Sequence, residues 1–274
     1  MAGFCDLHTH SRASDGSYRP AQLIRLAEEA GLSAIALTDH NTLAGLPEFL
    51  AAAEGSSVRA IPGIEFSTDW EDAELHIVAL FVRPEHSDAI APILAQGRQW
   101  KRESNALLVE NLRRAGIRLD FDRVLARTDG IPNRAHFASE LTEMGITGSN
   151  KEAFRTLLDP KNGLYVPPIH PPALEVIQLI RDLGAVSVLA HPFLSLKQAA
   201  KLRRFLAQAP ALNALETLYP EFTPEQTREA RLIAEEFGLL ESGGSDFHGD
   251  NKTHIQLGQA KVPLAFLEAM EKNR

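Results

Sequence analysis

Asp6-Leu7-His8-Thr9-His10, followed by Ser14-Asp15-Gly16, decides how the rest of the chain is read. The run Gly3-Phe4-Cys5-Asp6-Leu7-His8 is short, apolar and strand-like. Side chains alternate faces along a strand, so His8 and His10 point the same way. Two imidazoles converging with the carboxylate of Asp15, on the loop leaving the strand, make half of a site for a divalent transition metal. A His-x-His pair alone has a plainer reading, two histidines at a solvated strand end. What decides between the two lies downstream.

Further along, short hydrophobic strands each end in a metal-binding side chain. Ala34-Ile35-Ala36-Leu37-Thr38-Asp39 runs into His40, and Val58-Arg59-Ala60-Ile61-Pro62-Gly63-Ile64 into Glu65. Ala185-Val186-Ser187-Val188-Leu189-Ala190 runs into His191, and Leu239-Leu240-Glu241-Ser242-Gly243-Gly244-Ser245 into Asp246, with His248 two residues on. Functional residues gathered at the carboxyl ends of parallel strands are what a β/α barrel provides.

The motifs Asp6-Leu7-His8-Thr9-His10, Thr38-Asp39-His40, Gly63-Ile64-Glu65, Ala190-His191-Pro192 and Ser245-Asp246-Phe247-His248 resemble, over nearly the whole chain, those of the PHP (polymerase and histidinol phosphatase) family of metal-dependent phosphoesterases. The resemblance implies an α/β fold, a distorted (β/α)7 barrel related to the amidohydrolases, with two or three divalent metal ions.

A chain of 274 residues, 44% of them hydrophobic, suffices for one barrel with a modest insertion. The net charge of −8 argues against a broad basic surface for duplex DNA. Small anionic substrates stay open, because metals supply local positive charge. Cys5 is the only cysteine, which excludes an intramolecular disulfide and fits a core residue in a reducing compartment. The first strand begins at once and no apolar run approaches the ~18 residues of a spanning helix, so a cytoplasmic protein without membrane contact or an obligatory protein partner is expected.

The opening third reads β-α-β-α-β, with helices from Pro20 to Ala30 and Ala44 to Glu54. Between Ile64-Glu65 and the next strand, Glu74 to Val82, stands only the polar stretch 68–73. A parallel crossover needs about a dozen residues or more, so this strand is expected antiparallel. Its start, with His76, then lies at the same barrel end as Glu65. A helix from Ser87 to Gln96 returns the chain to that end, where residues 97–165 form a helical insertion, with helices from Trp100 to Arg114 and Arg134 to Met144, capping the site. Residues 1–96 and 166–274 are the two parts of the barrel. The chain re-enters through Val166-Pro167-Pro168-Ile169-His170-Pro171-Pro172, a polyproline-like connector. Three more strands alternate with helices to the end.

The expected metal ligands are His8, His10, Asp15, His40, Glu65, His76, His191, Asp246 and His248. Nine are too many for one ion, and sharing them through Glu65 or Asp246 makes a cluster. Imidazole and carboxylate without thiolate suit manganese, with iron or zinc as alternatives. Such a cluster would ionise a bridging water for attack on phosphorus, with Asp246 and His191 also in catalytic roles. No protein nucleophile is needed. Asp6 and Asp39 either orient ligand imidazoles or are ordinary strand-end turn residues.

Ile131-Pro132-Asn133-Arg134-Ala135-His136 sets Arg134 at a helix start, where free N–H groups favour an anion. This stretch and Lys161-Asn162-Gly163-Leu164-Tyr165 resemble a subgroup of the family acting on nucleotides with two phosphates and on short RNA 5′ ends. By that resemblance Arg134, Asn133, His136 and Lys161 contact substrate, although His136 could equally fill the core of the cap. Lys101, Arg102, Arg113 and Arg114 read as solvated helix charges, and His86, His170 and His254 as loop or surface histidines. The expected activity is removal of the 3′-phosphate from a 3′,5′-bisphosphorylated nucleoside. Histidinol phosphate hydrolysis, 5′-to-3′ hydrolysis of short RNA and a non-catalytic PHP module are the competing readings.

Overall fold

The computed structural model describes residues 3–273. Eight strands form one sheet: β1 (Phe4–Asp6), β2 (Ala34–Leu37), β3 (Arg59–Trp70), β4 (Ala73–Leu80), β5 (Val186–Leu189), β6 (Ala214–Leu218), β7 (Leu240–Gly243) and β8 (Val262–Pro263). Their order is β7-β6-β5-β4-β3-β2-β1-β8. Helices α1 (Pro20–Glu29) and α2 (Leu46–Ala52) cross over between the parallel strands β1, β2 and β3. The far ends of β1 and β7 meet: Leu7 N–H donates to Gly243 O at 3.2 Å, His10 N–H to Phe247 O at 2.9 Å and Asp246 N–H to His8 O at 2.9 Å. Closure therefore occurs at the end where the histidines lie. At the other end, β8 pairs antiparallel with Phe4 and Cys5. This eighth strand was not expected, because two residues carry no period.

β4 is antiparallel to β3, as the short connection required, and it is antiparallel to β5 as well. The polar stretch before it is no loop, however. β3 continues to Trp70 and turns through Glu71-Asp72 with Trp70 opposite Ala73. Glu71 takes up φ 52° to allow the turn. The polar groups there are satisfied within the structure: the buried Thr68 donates its hydroxyl to Leu75 O at 2.8 Å, and Asp69 Oδ2 accepts the His170 N–H at 2.9 Å.

A second correction concerns the helix that follows. Instead of two helices interrupted near Gly97, α3 (Ser87–Arg114) is continuous over 28 residues, which at 1.5 Å per residue spans about 42 Å. One glycine in a helix interior costs only about 1 kcal/mol, too little to break so long an element. Helices α4 (Phe121–Leu125), α5 (Arg134–Glu143) and α6 (Asn150–Arg155) follow. Leu108 and Leu112 of α3 share with Val124, Phe137, Leu141 and Leu158 an apolar cluster separate from those of the barrel. Glu140, fully buried, is bound there by Arg123 and Arg127.

The remaining helices are α7 (Ala173–Asp182), α8 (Pro192–Ser195), α9 (Ala199–Leu206), α10 (Pro224–Glu236) and α11 (Leu264–Lys272). Leu267 and Met270 of α11 join Cys5, Ala34, Ile61, Val78 and Val186 in one buried cluster. Cys5 is a core residue, free and buried, its thiol pushed up to about 12 by that burial. Among the described residues no helix is long and apolar enough to cross a membrane.

Candidate metal centre

Alternation along the extended chain leaving β1 brings His8 and His10 to the same side, their rings 5.1 Å apart. Glu65, fully buried on β3, lies among five imidazoles. Its Oε2 is 3.2 Å from His8 Nε2, 3.2 Å from His10 Nε2 and 3.1 Å from His40 Nδ1. Its Oε1 is 2.9 Å from His76 Nδ1 and 3.3 Å from His191 Nε2. His76 reaches it because Ser67, two residues along β3 from Glu65, is its partner across the hairpin, so the two side chains are diagonal neighbours on one face. Asp246 Oδ1 lies 3.1 Å from His10 Nε2, and Asp15 Oδ1 lies 3.2 Å from His248 Nε2. All nine residues expected as ligands thus converge at one mouth of the barrel.

These residues form four overlapping groups that could hold a metal ion: His10 with Asp15, His40 and His248; His8 with His10 and Asp246; His8 with Glu65 and His191; His40 with Glu65 and His76. The fit to cations is tested by the polar atoms at their centre. His8 Nε2, both ring nitrogens of His10, His40 Nδ1, Glu65 Oε2 and His191 Nδ1 are buried without a hydrogen bond, although several approach one another within about 3 Å. Buried polar atoms of this kind cost free energy unless something satisfies them. Lone pairs converging without directed hydrogen bonds suit cations. His191 (φ 26°) and Asp246 (φ 54°) also occupy left-handed backbone, a local strain that aims their side chains inward.

The electrostatics follow from burial and crowding. Burial by itself would raise the Glu65 carboxyl; His40, His8 and His76 outweigh it and hold the group well below the carboxylate range. Asp246 and Asp15 are held low against burial in the same way, each with His248 as the strongest opposing influence. Burial drives the His40 imidazole down to about 3 despite Glu65 and Asp15. At His10 the carboxylates of Asp246 and Glu65 overcome burial and lift the ring to about 10.

Around this centre stand residues the sequence reading missed. Glu216, buried on β6, places Oε1 3.3 Å from His8 Nδ1 and accepts the His191 backbone N–H at 2.6 Å through Oε2. Its signal was there, the one carboxylate in the otherwise uncharged strand Ala214–Leu218. Tyr219 donates its hydroxyl to Asp246 Oδ2 at 2.9 Å, and Lys252 Nζ reaches the same oxygen at 3.1 Å. Asp6 and Asp39 act on the chain rather than on imidazoles. Asp6 accepts backbone N–H groups of Ser245 and Gly258, both at 2.8 Å, while Asp39 takes Ser11 N–H at 2.7 Å and the Ser14 hydroxyl at 2.6 Å. Together they fix the loops that carry Asp246 and Asp15.

The four residues expected to touch substrate part company. Arg134 lines the cleft beside His76 and Asp15, its guanidinium 5.1 Å from the Tyr165 ring centre and 5.7 Å from that of Phe154. Asn133 also lines it, but its side chain is engaged: Oδ1 caps α5, and Nδ2 donates to Asp15 Oδ2 at 2.5 Å. His136 is buried behind, with Nδ1 accepting the Asn133 N–H, and is not among the residues lining the cleft. Lys161 is exposed on the turn Pro160–Asn162 and lines no part of it either. Three residues expected as solvated charges or loop histidines, Lys101, Arg102 and His170, line the cleft instead. Lys101 enters the cleft from α3, its ammonium pushed down by burial against the pull of Asp15 and Glu74. His170 forms part of the wall, held by Asp69 Oδ1 at 3.0 Å.

A barrel with imidazoles and carboxylates converging at one mouth defines a class, the metal-site β/α barrels. The chain belongs to the PHP domain family, whose model matches residues 6–123. A 5′-3′ exoribonuclease of Haemophilus influenzae is 32% identical to it over 246 residues, 89% of each chain. A 3′,5′-nucleoside bisphosphate phosphatase of Chromobacterium violaceum is 30% identical, covering 93% of this chain and 91% of that one. An amidohydrolase from the same organism, solved with sulfate and no metal, superposes with a TM-score of 0.87 at 29% identity, over 98% of this chain and 96% of the other.

Proposed function

We propose that this chain is a metal-dependent phosphoesterase that removes the 3′-phosphate from a 3′,5′-bisphosphorylated nucleoside, leaving the 5′-monophosphate. The observation that carries the reading is Arg134: a guanidinium packed near two aromatic rings, in the same cleft as the histidine and carboxylate cluster, forming no ion pair among the described residues. The nine converging residues are the proposed ligands, with Glu65 at their centre and Asp246 and His191 nearest the reacting groups. Divalent ions held there, manganese foremost, supply Lewis acidity toward phosphoryl oxygens and lower the pKa of water. Arg134 binds the phosphate that is kept, with the planar fork that matches phosphate oxygens. Lys101, with no ion pair among the described residues, adds positive charge between the kept and the cleaved phosphates. Asn133 holds Asp15 and so ties α5 to the cluster. The helical unit of residues 97–165 serves as the cap that brings Arg134 and Asn133 over the cleft.

The test is Arg134→Ala, assayed with manganese on a bisphosphate and on the matching 3′-monophosphate, with metal content measured in both proteins. The variant should keep its metals and lose about 2–5 kcal/mol of transition-state stabilisation on the bisphosphate, and much less on the monophosphate. Unchanged turnover on the bisphosphate refutes the role; equal losses on both substrates move Arg134 to the reacting phosphate. Histidinol phosphate in the same panel should be a poor substrate.

A further inference from the structure

Asp246 presents its two oxygens to different surroundings. Oδ1 faces the cluster, 3.1 Å from His10 Nε2, 3.5 Å from His248 Nδ1 and 3.6 Å from His8 Nε2. Oδ2 is taken by groups from outside the cluster, the Tyr219 hydroxyl at 2.9 Å and Lys252 Nζ at 3.1 Å. Lys252 ends the short turn Gly249–Lys252 that follows His248, and its side chain reaches back to Asp246. An ammonium has three hydrogens to donate and no lone pair. Three acceptors stand within reach of this one: the Tyr219 oxygen at 2.8 Å, Glu221 Oε2 at 2.9 Å and Asp246 Oδ2.

That full set of partners separates Lys252 from Arg134 and Lys101, the cations of the cleft. Lys252 lines no part of the cleft, and neither does Tyr219. Tyr219 is buried, and its ring also stands edge-on to that of His191, the centres 5.5 Å apart. The pair thus touches proposed ligands beyond the ends of β5 and β7 without entering the space a substrate would fill. Its role is positioning, not catalysis.

What needs positioning is visible in the backbone. Asp246 sits at φ 54°, a conformation that side-chain-bearing residues adopt only when their surroundings hold them there. With Oδ2 gripped by two donors, one of them charged, the carboxylate cannot turn, and Oδ1 is the oxygen left for a cation. Outer partners of this kind change metal affinity by about 10–100-fold when removed. The inference rests on the reading that the cluster holds divalent ions. We infer that Lys252, assisted by Tyr219, is the residue that fixes Asp246 as a one-oxygen ligand of the ion held by His8, His10 and Asp246, and that its charge at Oδ2, not its tie to Glu221, has this effect.

The experiment titrates the metal-free chain with manganese by calorimetry and counts bound ions by electron paramagnetic resonance. The proteins are the wild type, Lys252→Met, Lys252→Arg, Tyr219→Phe and Glu221→Gln, with melting of each metal-free form as the check on folding. Lys252→Met should weaken one manganese ion at least about tenfold and leave the others at native affinity, with a smaller loss at that same ion in Tyr219→Phe. Lys252→Arg keeps the charge and should recover most of the affinity. Glu221→Gln leaves Lys252 on Asp246 and should bind as the wild type does. Native binding by Lys252→Met overturns the assignment. So does a loss in Glu221→Gln equal to that in Lys252→Met, which would make the lysine a loop anchor. If Lys252→Met does not fold, Tyr219→Phe decides, because it removes a single hydroxyl: native affinity there overturns the assignment. A wild type that binds no manganese removes the metal reading and the assignment together, whereas a wild type that binds it no better than the variants removes the assignment alone.

Discussion

Glu216 has two neighbours whose positions matter, the ring of His8 and the backbone of His191, and it touches both from a buried position on β6. A carboxylate facing Nδ1 of an imidazole fixes the ring and turns Nε2 toward the centre, a support whose loss costs metal sites 10–100-fold in affinity or activity. Glu216→Gln keeps an acceptor for the His191 N–H but loses the charge beside His8. The expected result is a drop of about that size in manganese affinity with little change in fold, read by metal titration and circular dichroism. Native affinity in the variant would reduce Glu216 to a backbone anchor. Lys101 teaches a different lesson at the same scale. As one of several cations on an amphipathic helix it is indistinguishable from Arg113 and Arg114, and only its neighbours in space separate a cleft residue from a solvated one.

At the scale of elements, the start of α5 carries a pH-dependent stability. His136 closes the cap of that helix by accepting the Asn133 N–H at 3.0 Å. Burial lowers its imidazole to about 4, against the pull of Asp15 and with Lys101, Arg127 and His248 adding to the fall. In the unfolded chain the ring titrates near its ordinary 6.5. Above that value neither state is charged and the full stability is present. Between about 6.5 and 4 the unfolded chain takes up a proton that the folded one refuses, so stability falls with pH, by roughly 3 kcal/mol in all. Denaturant melts of the wild type and His136→Gln across this range check the sign. The variant should lose the part of the slope due to this ring, and an identical slope would show that the imidazole does not stay neutral.

The molecule as a whole is tied together at the cluster. Its nine residues come from six strands or the loops that follow them, and from both halves of the chain on either side of residues 97–165. A ligand bound only by the folded state stabilises that state by RT ln(1 + [L]/Kd), about 2.7 kcal/mol at a hundredfold excess over Kd. Stripping metal with a chelator should therefore lower the unfolding temperature of the entire barrel in one transition, and manganese should restore it. A melting curve indifferent to both would mean that the centre holds no metal under those conditions.

The strands, the direction of β4 and the nine converging residues were legible in the sequence because each is governed by local chemistry. Alternation sets which side chains share a face, and a short connection forbids a crossover. The hydrophobic runs end where the proposed ligands begin. The continuation of β3 past Glu65, the unbroken α3 and the two-residue β8 were not legible. In each case local propensity was weak or misleading, and pairing or packing with distant residues prevailed. The same holds for function: Glu216, Tyr219, Lys252 and Lys101 acquire their places only when chain segments far apart in sequence meet, while Lys161, at a motif's expected position, is left facing solvent. Sequence by itself determined which atoms could bind metal. Tertiary structure alone decided which cations face the cleft and how far the cleft extends, because burial and proximity belong to the folded chain.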